Sequence, residues 1–174
     1  NLLSIPMPLP DMRVSSVFPD AQGKVYSYVP DKGYVEVDTF EYGKGYWVNF
    51  AARDSVIVMA DLSNVLEFHA EDQFGGWNLM GAPSGPVTMG SIQQSPSGAL
   101  FVMYAFDPAT GYVAPSFGLL EPGRAYFVKV SVEAVLRLVA QSFTGGSAGL
   151  DQRVNVPGAS IRDMAPPPPP PPLE

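Results

Sequence analysis

Side chains able to do acid–base or metal chemistry are scarce in this chain, and their types narrow the reactions it can support. His69 is the single histidine, and there is no cysteine. A zinc site normally needs several Cys or His ligands, and thiolate chemistry needs a cysteine. A lone histidine in a polar segment is typical of a solvated side chain. We therefore assign no catalytic residue and no metal ligand.

Carboxylates near predicted turns offer the other route to a metal site, because calcium is bound by clustered oxygen ligands. The sequence has no EF-hand loop or other Asp-x-Asp-x-Asp loop, and no pair of carboxylates can be assigned to glycoside cleavage. The chemistry of turns explains these acids well, so we expect no metal, no cofactor and no enzymatic activity. The acids concerned are Asp31, Asp38, Glu41, Asp107 and Glu121.

Aromatic residues are the remaining candidates for binding, because exposed aromatic rings can stack on sugar rings. Tyr34, Trp47, Tyr112 and Phe127 lie on predicted turns or strands and are our candidate ligand-binding residues. The alternative is that these rings fill a hydrophobic core. Their recurrence at corresponding places along the chain favours core packing.

Composition excludes several classes of partner. The 174 residues are 46% hydrophobic and only 16% charged, with a net charge of −7 and a pI of about 4.6. Nonspecific binding to nucleic acid or to an anionic membrane requires a basic surface, so we expect neither. No apolar run reaches the roughly 20 residues that cross a bilayer, so we expect no membrane insertion.

The candidate aromatic residues lie in stretches of sequence that occur twice, so the repeat shows which elements position them. Three stretches recur in the same order at spacings of 77 to 80 positions. NLLSIP at 1–6 returns as NLMGAP at 78–83, VYSYVPDKGYV at 25–35 as VMYAFDPATGYV at 102–113, and EYGKGYWVNF at 41–50 as EPGRAYFVKV at 121–130. Three stretches in register favour a duplication over a chance recurrence of aromatic and glycine patterns.

Each copy predicts short strands separated by turns. Residues 25–29 and 33–39 alternate between apolar and polar positions around a Pro-Asp-Lys-Gly turn, which is typical of a β-hairpin. Residues 46–50 predict a further strand with Tyr46, Val48 and Phe50 on one face and Trp47 on the other, and residues 55–58 correspond to 135–138 in another. Residues 26–50 should superimpose on 104–130, with Tyr46 equivalent to Tyr126.

These elements predict an all-β fold made of two tandem homologous units of about five short strands each. A unit of this size is marginally stable alone, so we expect the two to pack as one pseudo-twofold β-sandwich or barrel-like body. The predicted divisions are a first unit at 1–74, a second unit at 75–140, a Gly/Ser/Ala-rich connector at 141–165, and a polyproline spacer with a vector-derived Leu-Glu end at 166–174.

Three segments are ambiguous. Residues 60–72 have Leu62, Val65, Leu66 and His69 at helical spacing, but a strand at 65–68 is slightly favoured. Residues 88–94 and 11–17 each predict a single helical turn.

The repeated motifs resemble a known bacterial repeat, whose form is Trp-Asn-Leu-Ile-Gly-x-Pro, then Tyr-x-Tyr-Asp-x-x-x-Gly-Tyr, then Leu-x-Pro-Gly-x-Gly-Tyr-Trp-Val. WNLMGAP at 77–83 matches the first motif, YAFD at 104–107 the second and GKGYWV at 43–48 the third. Ala125 replaces the glycine of the third motif in the second copy. Such repeats occur near the C-terminus of large secreted and surface proteins, so the resemblance, over roughly 1–140, implies an extracellular or cell-surface location and a structural or accessory role.

A run of seven prolines lies at 166–172, just before the final Leu-Glu. Such a run adopts polyproline II, which predicts a spacer to neighbouring domains of a longer chain or a ligand for the aromatic groove of a protein partner. We also predict that the run contacts aromatic residues of the same or another chain. The candidate partner-binding residues are Pro166, Pro167, Pro168, Pro169, Pro170, Pro171 and Pro172.

The function expected from the sequence is therefore a non-catalytic structural or interaction module of an exported bacterial multidomain protein. The alternative is a carbohydrate-binding module of a secreted enzyme, which would bind glycan through exposed aromatic residues.

Overall fold

A computed structural model describes residues 1–51 and 62–141. Thirteen strands and one short α-helix, α1 (Val14–Val17), lie within these ranges. The strands are β1 (Leu2–Ser4), β2 (Ala21–Val29), β3 (Gly33–Val37), β4 (Gly45–Phe50), β5 (Val65–Ala70), β6 (Trp77–Met80), β7 (Val87–Thr88), β8 (Gln93–Ser95), β9 (Leu100–Asp107), β10 (Gly111–Val113), β11 (Leu119–Leu120), β12 (Tyr126–Val130) and β13 (Ala134–Val139).

All of the strand pairing between these elements is antiparallel, so the prediction of an all-β protein is confirmed at the level of fold class. Two sheets have four strands, in the orders β1-β4-β2-β3 and β6-β12-β9-β10. A three-stranded sheet has the order β5-β13-β8, and β7 pairs with β11. Over the described ranges no sheet closes on itself, so the barrel-like alternative is not observed.

The two predicted hairpins form with matching registers. In the β2–β3 hairpin Tyr28 lies opposite Tyr34, and in the β9–β10 hairpin Phe106 lies opposite Tyr112. Asp107 closes the second turn, because its Oδ1 accepts hydrogen bonds from the backbone N–H groups of Ala109 and Thr110 at 2.8 and 2.9 Å.

The ambiguous segments resolve as strand and short helix. Strand β5 confirms the strand at 65–68, while α1 and the 3₁₀ turn Met89–Ser91 confirm the two single helical turns. Strand β5 lies within the interval 1–74 assigned to the first unit, yet its strand partner is β13, from the second. Residues 55–58 lie outside the described ranges.

Strands β4 and β12 each divide their side chains between two cores, as their alternation predicts. Tyr46 and Val48 face a core under α1 that contains Val17 and Phe40. Tyr126, Val128 and Val130 face a core formed with β5 and β13. Trp47 and Phe127 point the opposite way, into a third core between the two four-stranded sheets.

Contacts between the two four-stranded sheets occur in corresponding pairs. The backbone N–H of Ser4 donates to the carbonyl of Gly123, and the N–H of Gly81 donates to the carbonyl of Gly43, at 2.9 and 2.8 Å. In the sequence correspondence, Ser4 matches Gly81 and Gly43 matches Gly123. Two isolated antiparallel bridges correspond in the same way: Leu3 with Arg124, and Lys44 with Met80.

Candidate functional site

The candidate site is an aromatic cluster between the two four-stranded sheets, and it contains all four candidate ligand-binding residues. It forms because side chains alternate between the two faces of a strand, and rings from β2, β3, β4, β6, β9, β10 and β12 point to this side of their sheets. We define the aromatic cluster by its nine rings: Tyr26, Tyr28, Tyr34, Trp47, Trp77, Tyr104, Phe106, Tyr112 and Phe127.

Edge-to-face ring contacts connect the sheets across this cluster. The ring centroids of Trp47 in β4 and Phe106 in β9 are 4.6 Å apart. Those of Tyr28 in β2 and Phe127 in β12 are 5.6 Å apart. Edge-to-face pairs of this kind contribute about 0.5–1.5 kcal/mol each beyond the area they bury.

Tyr34 and Tyr112 meet at the cluster from β3 and β10. A hydrogen bond joins the hydroxyl groups of Tyr34 and Tyr112, and both side chains are half-buried. Burial raises the pKa of Tyr34, while the Tyr112 hydroxyl and the nearby Trp47 indole N–H oppose the rise. Burial also raises the pKa of Tyr112 strongly, with a smaller contribution from Tyr34.

The four candidate ligand-binding residues thus come together in one cluster, but with different exposure. Trp47 is 7% exposed and Phe127 is fully buried, so neither presents a ring face to solvent. Tyr34 and Tyr112 retain part of their surface. Tyr28, Phe106 and Trp77 were not among the candidates, although their places on alternating strands beside repeated aromatic positions could have indicated them.

The indole N–H of Trp47 is an unusual donor in this cluster. This N–H is buried, and none of the described residues accepts a hydrogen bond from it. It is near enough to the Tyr34 hydroxyl to lower the pKa of Tyr34. A buried donor without a partner costs about 1–3 kcal/mol.

Three of the five acidic residues considered for calcium stabilise local structure. Glu41 pairs with Lys44 at 2.9 Å, and Glu121 pairs with Arg124 at 3.0 Å. Asp107 holds its turn, and hydrogen bonds from Ala109 and Thr110 lower its pKa. Within residues 1–51 and 62–141, no group of three or more His, Cys, Asp or Glu side chains could hold a metal ion.

His69 lies in β5 opposite Val135, with its side chain exposed. This agrees with a solvated histidine.

The proline run at 166–172 lies outside the described residues. The predicted contacts between this run and aromatic residues therefore cannot be seen in the structure.

Two exposed phenylalanines were not identified from the sequence. Phe74 and Phe117 are 65% and 97% exposed, and both have left-handed backbone conformations, with φ of 52° and 54°. Each precedes a glycine with positive φ, Gly75 or Gly118. A Phe-Gly pair between strands is the only sequence signal for such a turn.

None of the helices in the part of the chain that the structure describes has the length and apolar character needed to cross a membrane.

Comparison with protein-family models, with curated proteins and with solved structures found no match to this chain.

Proposed function

We propose that this chain is a non-catalytic structural or interaction module of an exported bacterial multidomain protein. Its two tandem units, related by an approximate twofold axis, would act as one rigid β body between neighbouring domains. The resemblance of its motifs to repeats in secreted and surface proteins supports export and an extracellular or cell-surface location.

The reciprocal contacts between the sheets carry the part of this proposal that concerns one rigid body with an approximate twofold axis. In a twofold interface, a contact from residue i to residue j is accompanied by the contact from j to i. The Ser4–Gly123 and Gly81–Gly43 hydrogen bonds follow this rule after the correspondence between the copies is applied. So do the Trp47–Phe106 and Tyr28–Phe127 ring pairs.

Steric contact at Gly45 supports the same axis. A methyl group placed on Gly45 would lie 2.6 Å from Cβ of Ala125. Since Gly45 and Ala125 occupy corresponding positions, an axis that relates the units would pass between them. The half-buried Tyr34 and Tyr112, also corresponding residues, meet in the same self-paired way.

A structural role also agrees with how the chain uses its chemically capable residues. Most of the cluster aromatics join the sheets, and the turn acids form ion pairs or cap turns. The proposal needs no reacting group from either set.

Two measurements test this function. Purified protein should show no turnover of ester, peptide, glycosidic or phosphoester substrates, and an antibody to it should label intact cells of its source before permeabilisation. Turnover that disappears on replacing one acidic residue would contradict the non-catalytic role. Labelling that requires permeabilisation would contradict export.

A further inference from the structure

Three exposed apolar side chains lie at one end of the second four-stranded sheet. Phe74 is 65% exposed, Phe101 is 49% exposed and Val132 is 40% exposed. We call these three residues the phenylalanine patch. Neighbouring apolar side chains left open to solvent are typical of a binding surface.

Backbone hydrogen bonds join the chain segments that carry the patch. The N–H of Val130, at the end of β12, donates to the carbonyl of Gly76 at 2.9 Å. The N–H of Ser131 donates to the carbonyl of Ala99, also at 2.9 Å. Each patch residue lies within two positions of one of these four bonded residues. The patch therefore gathers at the end of β12, from the turn before β6, the start of β9 and the turn after β12.

The spacing of the two rings matches the repeat of a polyproline II helix. Strands β6 and β9 lie on either side of β12, so the segments that carry Phe74 and Phe101 are about 9–10 Å apart, twice the spacing of neighbouring strands. A polyproline II helix has three residues per turn and rises about 3.1 Å per residue, so every third proline faces the same way about 9 Å further on. A helix lying across the end of β12 would set one proline on each ring.

The proline run of the same chain has the chemistry for this position. Seven consecutive prolines at 166–172 carry no side-chain charge and no backbone N–H donor. Polyproline II is already ordered before it docks, so exposed aromatic rings can bind it at little cost in conformational entropy.

The run is also close enough along the chain to reach the patch. Val132 lies two residues before β13, and the chain leaves the described residues at Gln141, just past the other end of that strand. A six-residue strand such as β13 is about 20 Å long. The 24 residues at 142–165 separate Gln141 from the prolines, and a random coil of that length has a root-mean-square span of about 25–30 Å. At such a span the effective concentration of the run at the patch is on the order of millimolar, so even weak contacts would hold it.

We propose that the phenylalanine patch binds the proline run at 166–172 of its own chain, with prolines three positions apart packing on Phe74 and Phe101. This contact goes beyond the structural role and does not depend on it.

Fluorine spectra of the full chain test the contact. Labelling with 4-fluorophenylalanine gives one ¹⁹F signal for each of the ten phenylalanines, and Phe74→Leu, Phe101→Leu and Phe117→Leu each remove one signal and so assign it. A tail variant of equal length carries P166G, P167S, P168G, P169S, P170G, P171S and P172G. The signals of Phe74 and Phe101 should differ between the parent chain and this variant by more than their line widths.

Phe117 is the matched control, because it is also an exposed phenylalanine with a left-handed backbone. It lies two residues before Leu119, which pairs with Thr88. The side chain of Gln141 donates to the Thr88 hydroxyl at 3.4 Å, which places this region at the far end of β13 from the patch. The Phe117 signal should therefore be the same in the parent chain and the tail variant.

A free heptaproline peptide tests the same surface without the connector. Added to the labelled tail variant up to about 10 mM, it should move the Phe74 and Phe101 signals saturably, with a dissociation constant of about 1 mM. In Phe101→Ala the movement of the Phe74 signal should fall to less than about half at the same peptide concentration, because one of the two rings is lost. Phe117→Ala should leave it unchanged.

Three results would overturn the proposal. The first is coincidence of the Phe74 and Phe101 signals in the parent chain and the tail variant. The second is an equal change at Phe117, which would mean that the tail has no preferred ring. The third is loss of the difference on about tenfold dilution, which would assign the contact to the tail of a second copy, since docking within one chain is independent of protein concentration. None of these results bears on the non-catalytic role, whereas the turnover test above bears only on that role.

Discussion

The two four-stranded sheets share their strand order but differ in what covers their outer faces. In each sheet the first strand along the chain lies at one edge and the last strand along the chain lies next to it. The spatial orders are β1-β4-β2-β3 and β6-β12-β9-β10. The outer face of the first sheet packs under α1 and nearby loop residues. The outer face of the second packs against β5 and β13.

Because of this difference, the inner and outer faces of the sheets constrain their side chains in different ways. The inner faces meet each other, so a change in one must suit the other, and corresponding rings persist there as Trp47 with Phe127 and Tyr28 with Phe106. The outer faces meet different covers, although Tyr46 and Val48 there correspond to the identical residues Tyr126 and Val128. Stability measurements on corresponding residues test whether the inner faces of the two sheets form one shared core.

The largest effect should come from removing an inner-face ring. Phe127→Ala and Trp47→Ala should each lower the free energy of unfolding by about 3–5 kcal/mol. Each ring contacts the opposite sheet, so both variants should unfold in one cooperative transition in urea. Phe101→Ala, at an exposed aromatic of β9, is the control and should cost much less. Separate transitions for the two sheets would contradict a shared inner core.

Adding a methyl group between the sheets should have the next largest effect. Gly45→Ala should cost about 1–3 kcal/mol, because the new Cβ would lie 2.6 Å from both Cβ of Ala125 and Cγ of Leu79. The combination of Gly45→Ala with Ala125→Gly should recover part of that loss. Thermal unfolding of both variants checks this, and additivity of the two changes would argue against direct contact.

Corresponding tyrosine hydroxyls should make similar contributions. The N–H of Glu41 donates to the Tyr46 hydroxyl at 2.6 Å, and the N–H of Glu121 donates to the Tyr126 hydroxyl at 2.7 Å. Tyr46→Phe and Tyr126→Phe should each cost about 1 kcal/mol in urea unfolding. Strongly unequal losses would show that the two turns differ energetically.

The same hydroxyls predict a loss of stability in alkali. Burial raises the pKa of Tyr46 to about 12 and also raises that of Tyr126. A raised pKa in the folded state means that this stabilisation is complete below the unfolded value of about 10 and is lost as the pH rises from there towards 12. Unfolding measured from pH 9 to 12 should show a shallower decline in Tyr46→Phe than in the parent protein.

The smallest effect should come from the corresponding ion pairs. Glu41→Gln and Glu121→Gln remove the exposed pairs with Lys44 and Arg124. Each should change stability by no more than about 1 kcal/mol, and less at high salt, because solvent screens exposed pairs. A larger loss from one alone would mean that its turn depends on the pair.

Much of the local structure could be predicted from the sequence, because strand alternation and turn residues act over short distances. The β2–β3 and β9–β10 hairpins and the opposed faces of Tyr46 and Trp47 follow from period-two alternation. The partner of β5 could not be predicted, since the pairing of Val65 with Val139 joins residues far apart in the chain. Local alternation carries no information about such pairing.

The candidate site was predictable in type but not in exposure. Alternation places Trp47 and Phe127 on corresponding faces of β4 and β12. Whether such a face meets solvent depends on how the other sheet packs against it. The left-handed conformations of Phe74 and Phe117 were also inaccessible, because non-glycine residues rarely adopt positive φ. The Phe-Gly pair indicates a turn, but it does not indicate which backbone conformation the phenylalanine adopts.

The hydrogen bonds of Ser4 and Gly81 bear on how readily copies of this protein would pair through their strand edges. Strands β1 and β6 are outer strands of their sheets, and exposed outer strands can template pairing with other chains. At the end of each, one backbone donor is already bonded to a loop of the opposite sheet, at Gly123 or Gly43. A body that satisfies its own strand ends in this way would present less backbone to neighbouring β domains, and many such bodies could then be crowded together without joining their sheets.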